Sequence, residues 1–426
     1  MKFVLDRKHA SRLIYLCFMM YSAAYVGRYS YAAGLLNISG ALGIDKDMAG
    51  MVSSFFFFSY AAGQLLNAWL ARYYEPRRVV TLSLAVSALC NLGIGLCSSV
   101  TLMCPIWLIN GIFQSTLWCS LLNIQSKYLA KHDIPRAILW NSVTLALGTF
   151  LSYGMSSLFT RLSFSWRIAF YVSAATVALT ALVWWLGVGS IERCVRDGSG
   201  VLENPEQIEL SPVEAASAPT EKPRLFTPYF TVVFAFACIV AASSSFIRDG
   251  VVTWMPTILF EEFAVDKSLS IALTMVLPII SFFAAFLVRV AQTKLRGNML
   301  METLFFGGIT LCLGTIILLY PLRLALVTLL LFALSYLFLA SITNVTTSVI
   351  PFACRRFGNV GSTSALLDAC CYAGSVVSTY GLGAVAKSFG WMSAVQLITV
   401  IAAVSIVTTL AGTLLARRDA HTKEIL

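Results

Sequence analysis

Two arginines lie inside long apolar runs, where a charged side chain is costly. Arg28 occurs in "YVGRYSYAAG" and Arg248 in "SFIRDGVVTWMP". A guanidinium at the centre of a bilayer costs roughly 2.5–3.5 kcal/mol on insertion scales, so such a residue normally has a function or a partner. A guanidinium can donate two parallel hydrogen bonds to a phosphate or a carboxylate. We therefore expect an anion site that contains Arg28 and Arg248.

Two acidic residues in similar surroundings suggest an alternative. Asp249 directly follows Arg248, and Asp368 lies in a later apolar run. Each arginine could pair with a buried acid and serve only to hold helices together. Consecutive residues point about 100° apart on a helix, which makes Asp249 a poor direct partner of Arg248 unless the helix is broken there. Asp249 and Asp368 are also candidates for proton coupling, because a carboxylate can exchange a proton during transport.

The composition indicates a membrane protein. Of the 426 residues, 58% are hydrophobic and 12% are charged, and the mean hydropathy is +0.81. A soluble domain averages about 45–50% apolar and about 25% charged residues. The formal net charge is +10. Most of the basic residues fall in short loops between apolar runs, which indicates membrane topology and argues against nucleic-acid binding.

The apolar runs have the length of membrane-spanning helices, which need about 20 mostly apolar residues. They are too long and too evenly apolar for membrane β-strands. The sequence therefore predicts an all-α membrane protein with twelve transmembrane helices. The predicted spans are 12–36, 48–71, 79–99, 102–126, 137–160, 166–189, 227–258, 268–290, 298–319, 323–347, 359–386 and 391–416.

A polar stretch divides these spans into two sets of six. It contains Pro, Glu and Ser without periodicity, so it is predicted to be a linker. Two parallel six-helix halves are the plan of the major facilitator fold. The predicted organisation is an N-terminal half at 1–189, a cytoplasmic linker at 190–226, a C-terminal half at 227–416 and a cytoplasmic tail at 417–426.

Lysines and arginines are distributed unequally between the two sides of the predicted bundle. Of the 30, 22 lie in the N-terminus, the tail and the loops on that side, 6 lie in the opposite loops, and the other 2 are Arg28 and Arg248. The positive-inside rule then predicts that both termini are cytoplasmic. The two arginines occupy the first span of each half near mid-depth. We expect them to face each other across a central pathway.

Other reactive side chains form no catalytic pattern. The eleven cysteines mostly lie inside apolar runs and lack the spacing of a zinc or disulfide framework. The three histidines, His9, His132 and His421, fall at predicted cytoplasmic ends. We therefore expect no enzymatic activity, no metal and no cofactor.

Four segments carry a family resemblance: "GRYSYAAGLLNISGALGIDKDMAGMVSSFFFFSYAAGQLLNAWLARYYEPRR", "LWNSVTLALGTFLS", "IRDGVVTWMPTILFEE" and "GNVGSTSALLDACCYAGSVVSTYGLGAVAKSFGW". In them the chain resembles the organophosphate:phosphate antiporters of the major facilitator superfamily, which include glycerol-phosphate and hexose-phosphate transporters and glucose-6-phosphate translocases. The resemblance implies that Arg28 and Arg248 clamp a phosphate. It also suggests four aromatic residues that line the cavity, namely Tyr25, Tyr29, Tyr60 and Trp254.

The chain departs from that family at two positions of the implied site. Family members carry a lysine where this chain has Gln64, and often a histidine where it has Thr144. Both departures remove positive charge, and Asp249 and Asp368 would lower the potential further if they face the cavity. A doubly charged phosphate ester favours a stronger field. We therefore expect a singly charged anion or a zwitterion as the substrate.

These observations predict a secondary transporter that moves a small organic anion (a phosphate ester, phosphate or a carboxylate) by alternating access. Inorganic phosphate or a proton is expected as the coupling ion, and the choice between exchange and symport stays open. We expect a multi-pass monomer in a lipid bilayer, in a bacterial cytoplasmic (inner) membrane, with no nucleic-acid partner. Two alternatives use the same fold: a ligand sensor that does not transport, and a proton-coupled transporter of a neutral, zwitterionic or cationic solute.

Overall fold

The computed structural model describes residues 3–70, 73, 75–203, 228–295, 297–353 and 360–418. Most of the predicted linker and nearly all of the predicted tail lie outside these residues. The described part is almost entirely helical. Its helices are α1 Arg7–Leu42, α2 Lys46–Leu70, α3 Pro76–Leu96, α4 Val100–Tyr128, α5 Ile134–Arg161, α6 Arg167–Arg196, α7 Pro228–Phe263, α8 Lys267–Thr274, α9 Val276–Ser281, α10 Ala284–Lys294, α11 Asn298–Leu319, α12 Ala325–Asn344, α13 Ile350–Ala353 and α14 Val360–Ala416.

The helices have the dimensions of membrane spans. Ten helical stretches in the described part of the chain are long and apolar enough to cross a bilayer. The last of them, Thr363–Ala416, has 54 residues. At 1.5 Å per residue it would measure about 80 Å, against a hydrocarbon core of about 30 Å. It is divided at Gly390, where φ is +81° and ψ is 168°. The predicted all-α membrane character is confirmed, while the count of twelve crossings stays a prediction.

Two predicted spans are interrupted. The eighth, predicted as 268–290, consists of the three helices α8, α9 and α10. Pro278 in α9 explains the first break, because proline has no N–H and its ring collides with the carbonyl four residues earlier. The tenth span ends in a π-helical stretch, Val345–Val349. Such stretches are rare and concentrate at functional sites.

A two-stranded sheet joins the start of α1 to the end of α6; helices α1–α6 are called the first half below, and α7–α14 the second half. Strand β1, Phe3–Leu5, pairs antiparallel with β2, Val201–Glu203. The sequence did not predict these strands, and it placed the start of the linker at 190, whereas α6 continues to Arg196. Asp6 then caps α1 by accepting the backbone N–H of His9 at 2.7 Å. That hydrogen bond lowers the pKa of Asp6.

Small residues let the helices approach each other closely. Gly111 of α4 lies against the carbonyl of Phe56 in α2, and Gly374 of α14 lies against the carbonyl of Ala242 in α7. A Cβ atom at either glycine would overlap the neighbouring backbone. Close backbone contact of this kind is typical of helices packed in a membrane. It fixes α2 and α4 in the first half and α7 and α14 in the second, and these helices carry much of the site described next.

Candidate substrate-binding site

A cavity of about 220 Å³ lies between the two halves. The first half lines it with side chains of α1, α2, α4 and α5, and the second half with side chains of α7, α12 and α14. Eight of the ten residues predicted for the site line this cavity. They are Arg28, Arg248, Tyr25, Tyr29, Tyr60, Gln64, Asp249 and Asp368.

Arg28 of α1 is surrounded by aromatic rings and neutral acceptors. Its guanidinium carbon lies 4.4 Å from the ring centre of Tyr60 and 5.0 Å from that of Tyr25. Its Nε donates to Gln114 Oε1 at 3.3 Å, and its Nη1 donates to the Tyr372 hydroxyl at 3.3 Å. No described carboxylate forms an ion pair with it. Ring faces attract a cation without neutralising it, so Arg28 keeps a positive charge in the cavity.

The partners of Arg28 are held by a buried polar network from α3. Gln114 Nε2 donates to the Ser87 hydroxyl at 2.9 Å. One turn further along α3, Asn91 Nδ2 donates to the Gly27 carbonyl at 3.1 Å, and Asn91 Oδ1 accepts from the Ser30 hydroxyl at 2.8 Å. The residues on both sides of Arg28 are therefore fixed to a neighbouring helix. Networks whose members are all hydrogen-bonded in this way hold a unique geometry.

Arg248 of α7 has a different environment. Its Nε and Nη2 donate to the two carboxylate oxygens of Asp249 at 2.9 and 3.1 Å, and its Nη1 donates to the Thr343 hydroxyl at 2.9 Å. The Ser375 hydroxyl donates to Asp249 Oδ2. The expectation that Asp249 is a poor partner of Arg248 was therefore wrong. The angle of about 100° describes the directions of the two Cα–Cβ bonds. The arginine side chain is long enough to bend toward Asp249, so its guanidinium still reaches the carboxylate.

Asp368 of α14 is the second carboxylate in the cavity. It is half-buried, and no described residue forms a hydrogen bond or an ion pair with it. Tyr372, the hydroxyl partner of Arg28, follows it by four residues and so lies on the same face of the helix. The four charged lining residues have formal charges that sum to zero. Asp249 and Asp368 thus offset the positive charge of the two arginines, as expected if both carboxylates face the cavity.

The structure does not bring Thr144 and Trp254 into this cavity. Thr144 is buried and donates to the carbonyl of Asn141 at 2.6 Å. Trp254 is buried elsewhere: its Nε1 donates to the Thr379 carbonyl at 3.2 Å. It lies six positions from Arg248, which is about 240° around the helix. A resemblance in sequence does not reveal how the helix is rotated. Trp254 was therefore predicted to line a cavity that it does not face.

Trp254 belongs to a zone where the two halves meet on the side of the loop between α1 and α2. There Lys46 Nζ contacts Glu261 Oε2 at 2.6 Å, and Lys387 Nζ contacts Asp45 Oδ2 at 2.7 Å. A second cavity of about 390 Å³ adjoins these ion pairs. Nearby, the Tyr153 hydroxyl of α5 donates to the carbonyl of Val252 in α7 at 2.9 Å. These contacts close the bundle at this end.

The other lining residues were missed because aromatic, hydroxyl and thiol side chains in apolar helices look like packing residues. Helix phase would have found several of them. Phe57, Tyr60 and Gln64 follow each other at intervals of three and four, and so do Tyr21, Tyr25 and Arg28. The residues missed are Tyr21, Phe57, Trp118, Leu145, Thr343, Thr347, Cys371 and Tyr372.

The family model of the Major Facilitator Superfamily matches residues 17–379, so the chain belongs to this superfamily. Its members are transporters, not enzymes. This confirms the prediction of a transporter and the prediction that the chain is not an enzyme. A bacterial homologue of the human lysosomal transporter Spinster, solved in an inward-facing and occupied conformation, has a TM-score of 0.73 at 13% identity and covers 96% of this chain and 97% of its own. A D-xylose–proton symporter has a TM-score of 0.69 at 14% identity, with coverages of 97% and 98%. These similarities confirm the predicted fold.

Curated relatives have names that agree with the predicted resemblance. A probable hexose phosphate transport protein of Chlamydia pneumoniae is 26% identical over 216 residues, which is 46% of this chain and 47% of that protein. Sugar phosphate exchanger 3 of Homo sapiens is 26% identical over 173 residues, or 39% of this chain and 32% of that protein. The match therefore spans less than half the length of each relative.

Proposed function

We propose that this transporter moves a small organic anion (a phosphate ester, phosphate or a carboxylate) by alternating access around the cavity between its halves. One observation carries the proposal: Arg28 is 6% exposed, faces the cavity and has no described carboxylate partner. A buried guanidinium without a counter-charge favours an anionic ligand, because an unpaired charge in a low-dielectric site is costly. The names of the relatives support the same substrate class.

In this proposal Arg28 is the first anchor of the anion. Its Nη2 makes no hydrogen bond with a described residue, so it is the donor that is free for a ligand. Tyr25, Tyr29, Tyr60 and Gln64 line the space around it and supply hydroxyl and amide groups for further hydrogen bonds. Arg248 becomes the second anchor when the ligand replaces Asp249. The predicted clamp is thus retained in an asymmetric form.

Alternating access then requires the closed end to open while the other end closes around the bound solute. The contacts of Lys46 and Lys387 join the halves at the end that carries the loop between α1 and α2, so in this proposal they are the contacts that break when that end opens. The two halves, 1–189 and 227–416, are the moving bodies of this proposal. The lysine and arginine distribution supports cytoplasmic termini, and the bacterial relatives support a bacterial inner membrane.

The coupling ion is inorganic phosphate or a proton. Inorganic phosphate would bind Arg28 in exchange for the substrate. A proton would bind Asp249, which releases Arg248 from its ion pair, or Asp368. Both carboxylates face the same cavity as Arg28. Counterflow in proteoliposomes distinguishes the two, because exchange needs an internal anion, whereas symport needs a pH gradient.

The proposal is tested by anion binding and uptake with Arg28→Lys. Lysine keeps the charge but loses the planar fork. With inorganic phosphate, glycerol phosphate and butyrate as probes, we expect at least one to stabilise the purified wild type against heat and to enter proteoliposomes. Arg28→Lys should weaken that response about tenfold or more, which corresponds to one charge-assisted bidentate contact.

Arg77→Lys is the matched control. Arg77 stacks on Trp185 and pairs with Glu192, away from the cavity, so its replacement should leave anion binding unchanged. The proposal fails if none of the three anions stabilises the protein, or if the two lysine variants respond alike.

A further inference from the structure

We propose that the cavity is built for a zwitterion, with the anionic group on Arg28 and an ammonium group on Asp368. This inference rests on the proposed transport function and narrows its substrate to a carboxylate or phosphate ester that also carries an ammonium group. The two residues come from opposite halves, Arg28 from α1 and Asp368 from α14, and both line the same cavity. A ligand that bridges them would connect the two halves.

The charge balance of the cavity carries the first step. Arg248 and Asp249 neutralise each other through two hydrogen bonds. Arg28 and Asp368 remain, each without an oppositely charged partner among the described residues. A doubly charged anion would bring two negative charges next to Asp368, into a site whose formal charges already sum to zero. A solute with one charge of each sign leaves the sum at zero and pairs both residues.

Tyr372 places Asp368 in the part of the cavity that contains Arg28. Its hydroxyl accepts from Arg28 Nη1 at 3.3 Å. Asp368 lies one helical turn before Tyr372, on the same face of α14. No described hydrogen bond or ion pair joins the carboxylate to the guanidinium, so the two groups are available to different ends of one ligand. An α-amino acid carries both charged groups on one carbon, whereas the charges of an ω-amino acid are several bonds apart and suit two partners that do not touch each other.

Two further aromatic rings in the cavity lining provide the third step. Arg28 already stacks on Tyr25, Tyr60 and Phe56. Tyr21 and Trp118 also line the cavity, with their ring centres 5.2 Å apart, and no described cation lies over either ring. An ammonium group and its alkyl chain bind well against such faces. The lining therefore offers an anionic and an aromatic partner to a cation besides the guanidinium that it offers to an anion.

Matched pairs of solutes test the inference. Butyrate and γ-aminobutyrate differ by one ammonium group, and so do propionate and β-alanine. Thermal stabilisation of the purified full chain gives an apparent Kd for each. We expect the amino compound of at least one pair to bind about tenfold or more tightly than its partner, as one charge-assisted contact would give. In Asp368→Asn that preference should disappear, while binding of the plain anion stays the same or strengthens.

Two further variants keep the test decisive. Asp368→Glu retains the charge on a longer side chain, so it should retain the preference even if Asp368→Asn does not fold. Glu75→Gln removes an acid whose side chain is 67% exposed, outside the cavity, and should change nothing. Equal binding within both pairs, or a preference that survives Asp368→Asn, overturns the inference.

Those results leave the proposed function intact if butyrate or phosphate still binds and Arg28→Lys still weakens it. If Arg28→Lys has no effect on any solute, the proposed function itself is wrong.

Discussion

Arg248 and Asp249 are consecutive residues of α7, and their side chains form a two-pronged ion pair with N–O distances of 2.9 and 3.1 Å. The same aspartate accepts from Ser375 of α14, and the same arginine donates to Thr343 of α12. The pair therefore links three helices of the second half. Arg28, its counterpart in the first half, has no such acid among the residues that the structure describes. The two arginines that look equivalent in the sequence are thus unequal in charge.

Asp249→Asn should destabilise the protein unless an anion is present. It leaves the guanidinium of Arg248, which is 16% exposed, without its counter-charge, and breaking a buried pair costs about 3–5 kcal/mol. An anion that binds Arg248 should restore part of this loss. Thermal unfolding with and without phosphate measures both effects. An unchanged melting temperature would show that the ion pair is not important for stability.

Gln64→Lys should shift the preference of the site toward doubly charged anions. Gln64 lines the cavity, and its Nε2 donates to the Tyr60 hydroxyl at 3.5 Å. A lysine there changes the formal charge of the lining from zero to plus one. At an effective dielectric constant of 20, a charge about 4 Å away contributes about 4 kcal/mol before desolvation, so a tenfold or larger gain for glycerol phosphate is expected.

The control for this gain is Gln64→Met, which has a similar shape and no charge. It should not strengthen binding of glycerol phosphate. Equal gains in the two variants would mean that shape, and not the field, sets the preference.

Glu261→Gln should loosen the closed end of the bundle. The Oε2 atom of Glu261 accepts from Lys46 at 2.6 Å and from Trp391 Nε1 at 2.7 Å. The Lys46 and Glu261 side chains are 28% and 32% exposed, so solvent screens the pair. We expect a loss of about 1 kcal/mol, which is roughly a fivefold shift toward the conformation open at this end.

The readout is maleimide labelling of Ser39→Cys, a position that lines the cavity at this end. Labelling is measured as the difference between proteins with and without the introduced cysteine. The neighbouring Glu262 makes no ion pair with a described residue. The control variant Glu262→Gln should therefore leave labelling unchanged. A result in which both glutamine variants label alike would rule out a specific role for Glu261.

Gly50→Ala and Gly374→Ala should affect different properties, labelling at the closed end and thermal stability, although each places a Cβ atom on a backbone carbonyl. Gly50 faces Thr379, which belongs to the other half. Its alanine should therefore hold the closed end apart and raise Ser39→Cys labelling. Gly374 faces Ala242 within the same half, so its alanine should lower thermal stability by about 1–3 kcal/mol, as overpacking does. Loss of stability in both, with no gain in labelling for Gly50→Ala, would contradict this.

The sequence predicted the charged part of the site because a charge inside an apolar run is conspicuous. Arg28, Arg248, Asp249 and Asp368 were all identified in that way. Tyr372 was not, because a tyrosine among apolar residues is indistinguishable from a packing residue until its helix is placed. Trp254 was misplaced because resemblance gives the residue but not the rotation of its helix. The spans followed from length and hydropathy. Pro278 could have signalled the first break within 268–290, whereas the π-helical stretch after Asn344 has no comparable signal in the sequence.

The small sheet between β1 and β2 has a consequence for how force passes through the chain. Asp6 N–H also donates to the Gly200 carbonyl at 2.9 Å, so the entry to α1 and the exit from α6 are fastened together. Pulling on the chain beyond Glu203 would load these hydrogen bonds before it reached α1 and Arg28. The first half is thereby anchored at its own ends, and a polypeptide cut after this sheet should still assemble with its separately made second half.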